Sequence, residues 1–239
     1  MKFFAKDQRY FGRRTEFANQ LEWPMLYEIV DQWPLYVGTG NLARVLSIVE
    51  LFSQTIDVPG DIAEFGIWKG STSSLLAKLL AIKDPHSPKR IHLFDSFEGL
   101  TAFSDEDKDS TKRRGQYLGS EAVFRAAAAV NEIDDYFVVH KGLIEDTLPR
   151  FISAATHTRF SFVYCDTDLY SSTSVVLREM WTRMTPGGLM VFDEWNSDDF
   201  PGEGTAVNEF LETVRSDVEF VLPPHTRQPS LAVRKIRDR

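Results

Sequence analysis

The sequence predicts an α/β fold: a doubly wound, mostly parallel, seven-stranded Rossmann-like sheet with helices on both faces. Short apolar segments alternate with segments of about 10–14 residues whose apolar side chains recur at helical spacing, the pattern of repeated strand–helix units. Only residues 223–229 separate the last two strands, too few for a crossover helix, so we expect an antiparallel C-terminal hairpin. A length of 239 residues suits one such domain with an added N-terminal segment.

The elements can be placed in order from their apolar patterns. The first helix has Leu42, Val45 and Val49 on one face. Pro149 is expected in the first turn of the fourth helix, where its missing N–H is tolerated. The predicted helices are residues 41–54, 71–83, 120–132, 146–155, 171–184 and 205–216. The predicted strands are residues 61–66, 89–94, 136–140, 160–165, 189–192, 219–222 and 230–236.

Two parts of the chain differ in character: an N-terminal extension, residues 1–58, and the α/β domain, residues 59–239. Residues 1–40 are rich in aromatic side chains, and Pro24 and Pro34 interrupt them, so we expect mostly irregular structure there, followed by the first helix. The extension is expected to pack on the core, to contact a partner subunit or to cover the substrate.

Composition narrows the class of function. The net charge of −8 argues against nucleic acid or an anionic membrane as the main partner. Cys165 is the one cysteine, which excludes a thiolate zinc site and an intrachain disulfide. No apolar run approaches a membrane span, and the N-terminus becomes charged too early for a signal peptide. We therefore expect a cytoplasmic, globular protein that acts on a small molecule.

A glycine-containing loop follows the first strand of the α/β domain. It runs from Glu64 through Gly66 to Gly70 and Ser71, where a helix begins. Glycine permits close approach of a ligand to the backbone, and the free N–H groups of a helix start suit a carboxylate such as that of methionine. The G-x-x-x-G spacing differs from the G-x-G-x-x-G of nicotinamide dinucleotide enzymes. The loop predicts a site for S-adenosylmethionine.

Asp95, at the end of the second strand, supports this interpretation because a carboxylate there can accept hydrogen bonds from both ribose hydroxyls. The loop after the third strand would line the adenine pocket. Alternatively, the two glycines only form a tight turn and Asp95 is a loop or helix-cap residue. The predicted cofactor-binding residues are Glu64, Gly66, Gly70, Ser71, Asp95, Ser96, Gly142 and Leu143.

Acidic residues follow two neighbouring strands. Asp166 and Asp168 come after the fourth strand, and Asp193 and Glu194 after the fifth. Carboxylates gathered at one rim repel each other unless a cation or protons lie between them, and an all-oxygen set suits Mg²⁺, or Ca²⁺ or Mn²⁺. A metal there would lower the pKa of a substrate hydroxyl, with Asp166 as the candidate catalytic residue that takes the proton. Alternatively, these side chains cap helices, with Asp168 at the helix from residue 171.

Together these motifs resemble the macrocin O-methyltransferase family. They are E-F-G-x-x-x-G-S (64–71), D-S-F-E-G-L (95–100), D-x-D-L-Y-x-S-T (166–173), P-G-G followed by F-D-E (186–194) and A-V-N-E-F-L (206–211). The resemblance implies a homo-oligomeric, Mg²⁺-dependent enzyme that methylates a sugar hydroxyl, often on a glycosylated natural product. It also implies three metal ligands: Asp166, Asp193 and Glu194, the last in place of the family's usual aspartate.

Three other functions are weighed against this one. A catechol-type small-phenol O-methyltransferase shares the sheet, the cofactor and the metal, and a broad aromatic slot over the metal would favour it. A non-catalytic relative that only binds the cofactor or a partner is disfavoured by the acids at both strand ends. The glycine spacing disfavours a nicotinamide oxidoreductase.

Overall fold

The computed structural model describes residues 2–224 and 226–238, with side chains in 8–108, 110–224 and 226–238. Within these residues seven strands form one sheet in the order β3-β2-β1-β4-β5-β7-β6. Strands β1 to β5 are parallel, and β7 is antiparallel to both β5 and β6, which confirms the predicted fold class and the C-terminal hairpin. The strands are β1 (Asp61–Phe65), β2 (Ile91–Asp95), β3 (Phe137–Lys141), β4 (Phe160–Cys165), β5 (Met184–Phe192), β6 (Val218–Val221) and β7 (Leu231–Lys235).

Helices cover both faces of the sheet. Apolar residues of α4, α5 and α6 form one core with the sheet, and those of α7, α8 and α9 form the other. None of the helices in the described ranges combines the length and apolar character that crossing a bilayer requires. The helices are α1 (Lys2–Gln20), α2 (Leu26–Val30), α3 (Trp33–Tyr36), α4 (Thr39–Ser53), α5 (Ser71–Lys83), α6 (Glu121–Val130), α7 (Ile144–Ala154), α8 (Tyr170–Trp181) and α9 (Pro201–Val214).

The central strands are apolar because neither face meets water. All six residues of β4 are buried, and the ring of Phe65 on β1 stacks on that of Phe94 on β2 with centroids 4.7 Å apart. A parallel sheet covered on both faces favours such continuous apolar strands over an alternating pattern. This is why the strands could be located from the sequence to within two residues, except that β5 begins at Met184, five residues before its predicted start.

The prediction of mostly irregular structure over residues 1–40 was wrong. Helices α1 to α3 occupy most of that segment. The prolines fall between or at the starts of helices, and α1 is held on α6 partly by polar contacts: Arg9 Nε lies 2.8 Å from Glu132 Oε1, and Arg13 donates to the carbonyl of Ala129. The residues of α1 are polar on average, so the helix does not stand out in the sequence as an apolar segment.

Pro149 also lies elsewhere than expected. Helix α7 begins at Ile144, which places Pro149 in its second turn and not its first. The missing N–H leaves the carbonyl of Glu145 without its usual helical donor. The rest of the helix is kept by burial of Ile144 and Leu148 against the sheet.

Two histidines stack beside the core under α7. His92 Nδ1 lies 3.1 Å from His140 Nε2, and the His140 ring stacks on Phe94 with centroids 4.3 Å apart. Burial and the neighbouring His92 lower the pKa of His140 to about 4. The folded protein therefore holds His140 neutral, whereas the unfolded chain binds a proton near pH 6.5.

We expect this histidine to make the fold acid-sensitive. Between pH 6.5 and pH 4 the unfolded state binds more protons than the folded state, so the stabilisation is fully present above pH 6.5 and is lost as the pH falls towards 4. Because His140 is only partly buried, we expect the free energy of unfolding to fall by about 1 kcal/mol. Urea unfolding at pH 7 and pH 5 measures the decrease in the free energy of unfolding. We expect a smaller decrease for His140→Phe, which keeps the stacked ring, than for the unsubstituted protein. An unchanged pH dependence would contradict this assignment.

Candidate active site

Four strands end in register at one edge of the sheet, and this brings the predicted site residues together. The N–H of Asp166 donates to the carbonyl of Phe65 (2.9 Å), and that of Asp193 to the carbonyl of Cys165 (3.0 Å), so the ladder continues one residue past β4 and β5. Parallel pairing thus places the strand-end residues in one row. In spatial order they are Asp95, Gly66, Asp166 and Asp193.

A single cavity of about 680 Å³ opens along this row. Of the eight predicted cofactor-binding residues, Gly70 does not line it. Gly70 instead turns the chain into α5 with φ +79°, and a Cβ there would lie 2.2 Å from the ring of Phe124. The predicted residues on the cavity wall are Glu64, Gly66, Ser71, Asp95, Ser96, Gly142, Leu143, Asp166, Asp193 and Glu194.

Gly66 is required by the neighbouring strand as well as by the cavity. Its φ is +78°, and a Cβ would lie 1.8 Å from the carbonyl oxygen of Asp166. No shift of a flexible side chain could relieve that contact, because the obstacle is backbone. The glycine therefore lets the loop after β1 pass directly beside the loop after β4.

Asp95 holds the glycine loop through one carboxylate oxygen and the start of its own loop through the other. Oδ2 accepts from the N–H groups of Ile67 (2.7 Å) and Trp68 (2.9 Å), and Oδ1 accepts from that of Phe97 (2.6 Å). Asp95 also lines the cavity, so the predicted ribose contact stays a prediction beside this structural role.

Glu64 is buried at the floor of the cavity. Its Oε2 accepts from the hydroxyl of Ser73 at 2.5 Å, and burial raises its pKa to about 8. The adjacent first turn of α5, with Ser71 and Thr72 on the cavity wall, has no side-chain cap. Uncapped N–H groups at the start of a 13-residue helix fit an anionic group such as the methionine carboxylate.

Arg44, which the sequence motifs did not predict, lies at the acidic end of the cavity. This is the end lined by Asp166, Asp193 and Glu194. Arg44 on α4 donates from Nη1 to both oxygens of Asp193 (2.5 and 2.7 Å) and from Nη2 to Asp166 (3.3 Å). The hydroxyl of Tyr164 donates to Asp193 Oδ1 at 2.5 Å. The signal for Arg44 was present in the sequence, since it precedes the buried Ile48 by four residues and Leu51 by seven.

These contacts bear on the predicted Mg²⁺ site. The carboxylates of Asp166 and Asp193 face a guanidinium, and Glu194 accepts a hydrogen bond from the side-chain amide of Gln228. Over the described residues, no three carboxylate, histidine or cysteine side chains converge as a ligand set. The three predicted ligands therefore do not fit a metal in this arrangement, although they lie at the same end of the cavity.

Asp168 lines the cavity and does not cap α8. Its φ is +63°, a left-handed conformation that is costly for a residue other than glycine, and its side chain is buried. Burial, with the negative charges of Glu194 and Asp193, raises the pKa of Asp168 to about 8. Asp107 instead accepts from the N–H of Tyr170, the first residue of α8, at 2.9 Å.

Asp107 anchors the charged segment of residues 97–118 to the α/β domain. It is fully buried, and it forms a capping box with Ser104 at the start of a 3₁₀ helix (Asp105–Arg113). Farther along, Arg113 and Tyr117 reach the cavity wall. The segment thus forms one side of the acidic end of the cavity.

Glu203, which the motifs also did not predict, hydrogen-bonds to both acidic loops, the loops that follow β4 and β5. Its Oε2 accepts from the N–H groups of Thr167 and Asp168 (both 3.3 Å), and Oε1 from that of Glu194 (2.8 Å). The flanking Gly202 and Gly204 let the start of α9 approach closely, since a Cβ at Gly204 would lie 2.3 Å from the carbonyl of Trp195. A charged residue between two glycines at a helix start was the available signal.

With this geometry established, comparison with known proteins is informative. A family model described as Macrocin-O-methyltransferase (TylF) matches residues 26–218, well over half of the chain. The chain belongs to the macrocin O-methyltransferase family. The family predicted from the sequence is thereby confirmed, and S-adenosylmethionine-dependent O-methyl transfer is the enzyme class of its relatives.

Two relatives are O-methyltransferases by their descriptions, and the description of the first names a rhamnosyl group. The chain is 30% identical over 176 residues to the 8-demethyl-8-(2,3-dimethoxy-alpha-L-rhamnosyl)-tetracenomycin-C 4'-O-methyltransferase of Streptomyces olivaceus. It is 27% identical over 164 residues to the mycinamicin III 3''-O-methyltransferase of Micromonospora griseorubida. The alignments include 70% and 65% of this chain and span 66% and 61% of these relatives, slightly less than two thirds of each.

Solved structures show the same architecture over nearly the whole chain. The calicheamicin methyltransferase CalS11 is 26% identical, with a TM-score of 0.77 over 97% of this chain and 93% of that one. The O-methyltransferase NovP, 22% identical, shares the fold with a TM-score of 0.69 over 82% of this chain and 80% of that one.

Substitution of Gly66 by alanine should separate steric conflict from backbone strain. We expect Gly66→Ala to lower the free energy of unfolding by about 3 kcal/mol or more, because a positive φ costs roughly 1–2 kcal/mol and the clash with Asp166 adds to it. Gly115→Ala is the matched control: its φ is +75°, but no atom lies within 4 Å of the added Cβ. Equal losses in urea unfolding would contradict the steric argument.

Removal of the Glu203 side chain should loosen both acidic loops. Glu203→Ala leaves three backbone N–H groups without an acceptor, and we expect a loss of roughly 2–4 kcal/mol in the free energy of unfolding. Glu209→Ala on the same helix removes an exposed carboxylate that accepts from Tyr170, and should cost about 0.5 kcal/mol or less. Similar losses for the two variants would contradict the stabilising role of Glu203 in both acidic loops.

Proposed function

We propose that this protein transfers the methyl group of S-adenosylmethionine to a hydroxyl of a sugar on a glycosylated natural product. The observation that carries the proposal is that one cavity joins the glycine loop and Asp95 at one end to Asp166 and Asp193 at the other. The cofactor and the acceptor hydroxyl would meet where the strand ends are adjacent. The sugar acceptor is supported by the rhamnosyl group in the description of the relative from Streptomyces olivaceus.

At the cofactor end the chain supplies binding groups. When bound, S-adenosylmethionine provides an electrophilic methyl group on sulfur. The uncapped start of α5 would hold its carboxylate, and Asp95 would accept from its ribose hydroxyls. Glu64 lies buried on the wall of the cavity beneath the loop.

At the acidic end the chain supplies proton acceptors. Methyl transfer forms a carbon–oxygen bond on the acceptor and breaks the carbon–sulfur bond of the cofactor, so the hydroxyl proton must leave to a base or to water. Asp166 stays the predicted catalytic residue, and Asp168 faces the same cavity. Alignment of the two reactants can lower the barrier by roughly 7–11 kcal/mol.

Metal dependence, the homo-oligomeric state and the cytoplasmic location stay predictions. For the metal, the carboxylates named in the sequence lie at the acceptor end of the cavity, yet at least one oxygen of each accepts from Arg44 or Gln228. We derive no reaction step through a metal.

An acceptor screen with methyl-labelled cofactor tests the proposal. Glycosylated natural products with free sugar hydroxyls should be methylated, whereas catechols should not. Methylation of catechols alone would favour the small-phenol enzyme, and cofactor binding without methylation of any acceptor would favour a non-catalytic relative.

A variant of Asp95 tests the cofactor end by itself. We expect Asp95→Asn to weaken binding of S-adenosylhomocysteine at least tenfold, about 1.4 kcal/mol, because the ribose contact and the loop contacts lose an acceptor oxygen. Calorimetric titration measures this directly, with the exposed Glu98→Gln as the control for a nearby lost charge. Unchanged affinity in Asp95→Asn would place the cofactor elsewhere.

A further inference from the structure

Arg44 occupies the position between two acidic strand ends at which the sequence predicts a metal. Its side chain is 26% exposed, whereas that of Asp193 is 4% exposed. The fork of its guanidinium spans both oxygens of Asp193 and reaches Asp166 with its second nitrogen. Arginine is the side chain whose geometry matches a carboxylate in this bidentate manner.

Both carboxylate oxygens of Asp193 already accept hydrogen bonds. Asp193 Oδ1 accepts from both Arg44 and the hydroxyl of Tyr164, while Oδ2 accepts from Arg44. A divalent cation that bridges Asp193 and Asp166 would need an oxygen of Asp193 that already accepts from Arg44, and it would stand beside a fixed positive charge. A guanidinium and a metal ion therefore exclude each other at this pair.

Other charged groups at this end of the cavity do not replace Arg44. Arg113 pairs with Asp199 at 2.9 Å and lies over the ring of Phe200. Among the described residues, Arg44 is the one cation that the ion pairs place on Asp166 and Asp193.

We propose that Arg44 is the resident cation of the Asp166–Asp193 pair, and that it competes with divalent cations for these carboxylates. The protein in this state binds such ions weakly, and tight binding requires the guanidinium to leave. The inference rests on the proposed function only in placing the reaction at this site. Arg44 belongs to the N-terminal extension, whose Trp33 and Val37 also line the cavity, so the extension contributes directly to the chemistry of the acidic end.

Mn²⁺ binding to the whole protein tests the proposal without any turnover. The electron paramagnetic resonance signal of free Mn²⁺ measures this binding. We expect Arg44→Met to bind Mn²⁺ at least tenfold more tightly than the unsubstituted protein. Arg125→Met removes an exposed arginine that pairs with Glu121, changes net charge equally and should leave Mn²⁺ affinity unchanged. Adding Asp193→Asn to Arg44→Met should abolish the gain, which locates it at this pair.

Three results would overturn the proposal: Mn²⁺ binding by Arg44→Met no tighter than by the unsubstituted protein, an equal gain in Arg125→Met, or a gain that survives Asp193→Asn. Should Arg44→Met fail to fold, Arg44→Lys keeps one charge without the fork. An intermediate gain in affinity is then expected, and no gain refutes the competition. Titration of S-adenosylhomocysteine in the same variants reports on the cofactor site, so a failure of the proposed function is seen separately.

Discussion

The in-register ending of β1, β2, β4 and β5 is the constraint on which the rest of this structure depends. Parallel pairing fixes which residues emerge side by side, and here it aligns Asp95, Gly66, Asp166 and Asp193 along one edge. Gly66 permits this spacing because its missing side chain leaves room for the carbonyl of Asp166. The cavity that runs along the edge is therefore a consequence of strand register, and the helices only complete its walls.

Gathering carboxylates at that edge creates electrostatic repulsion that two separate parts of the chain reduce. Arg44 from the N-terminal extension neutralises Asp166 and Asp193, and Tyr164 donates to Asp193 from within the sheet. Glu203 from α9 adds a further acid, yet it fixes both loops by accepting from their backbone N–H groups. The same elements that hold the site thus set its charge, since a buried carboxylate without donors or a cation would cost several kcal/mol.

The N-terminal extension contributes residues to the cavity of the α/β domain. Helix α4 lies in the segment separated from the α/β domain in the sequence analysis, yet it packs into the core beside α5 and brings Arg44 to the acids. The N-terminal helices before it leave Trp33 at the cavity rim. Family membership and similarity to CalS11 over 97% of the chain agree with one continuous unit built around the cavity.

The sequence by itself determined the sheet, its hairpin and the two ends of the site, because strand periodicity and glycine spacing are local properties that follow directly from the order of residues. It located the acids but not their partners. Arg44 lies 122 residues from Asp166 along the chain, and Glu203 lies 35 from Asp168, so nothing local signals their contact. Only the tertiary structure decided which cation faces the carboxylates. That choice depends on how α4 and α9 pack across the strand ends, which is set by long-range burial and not by any single motif.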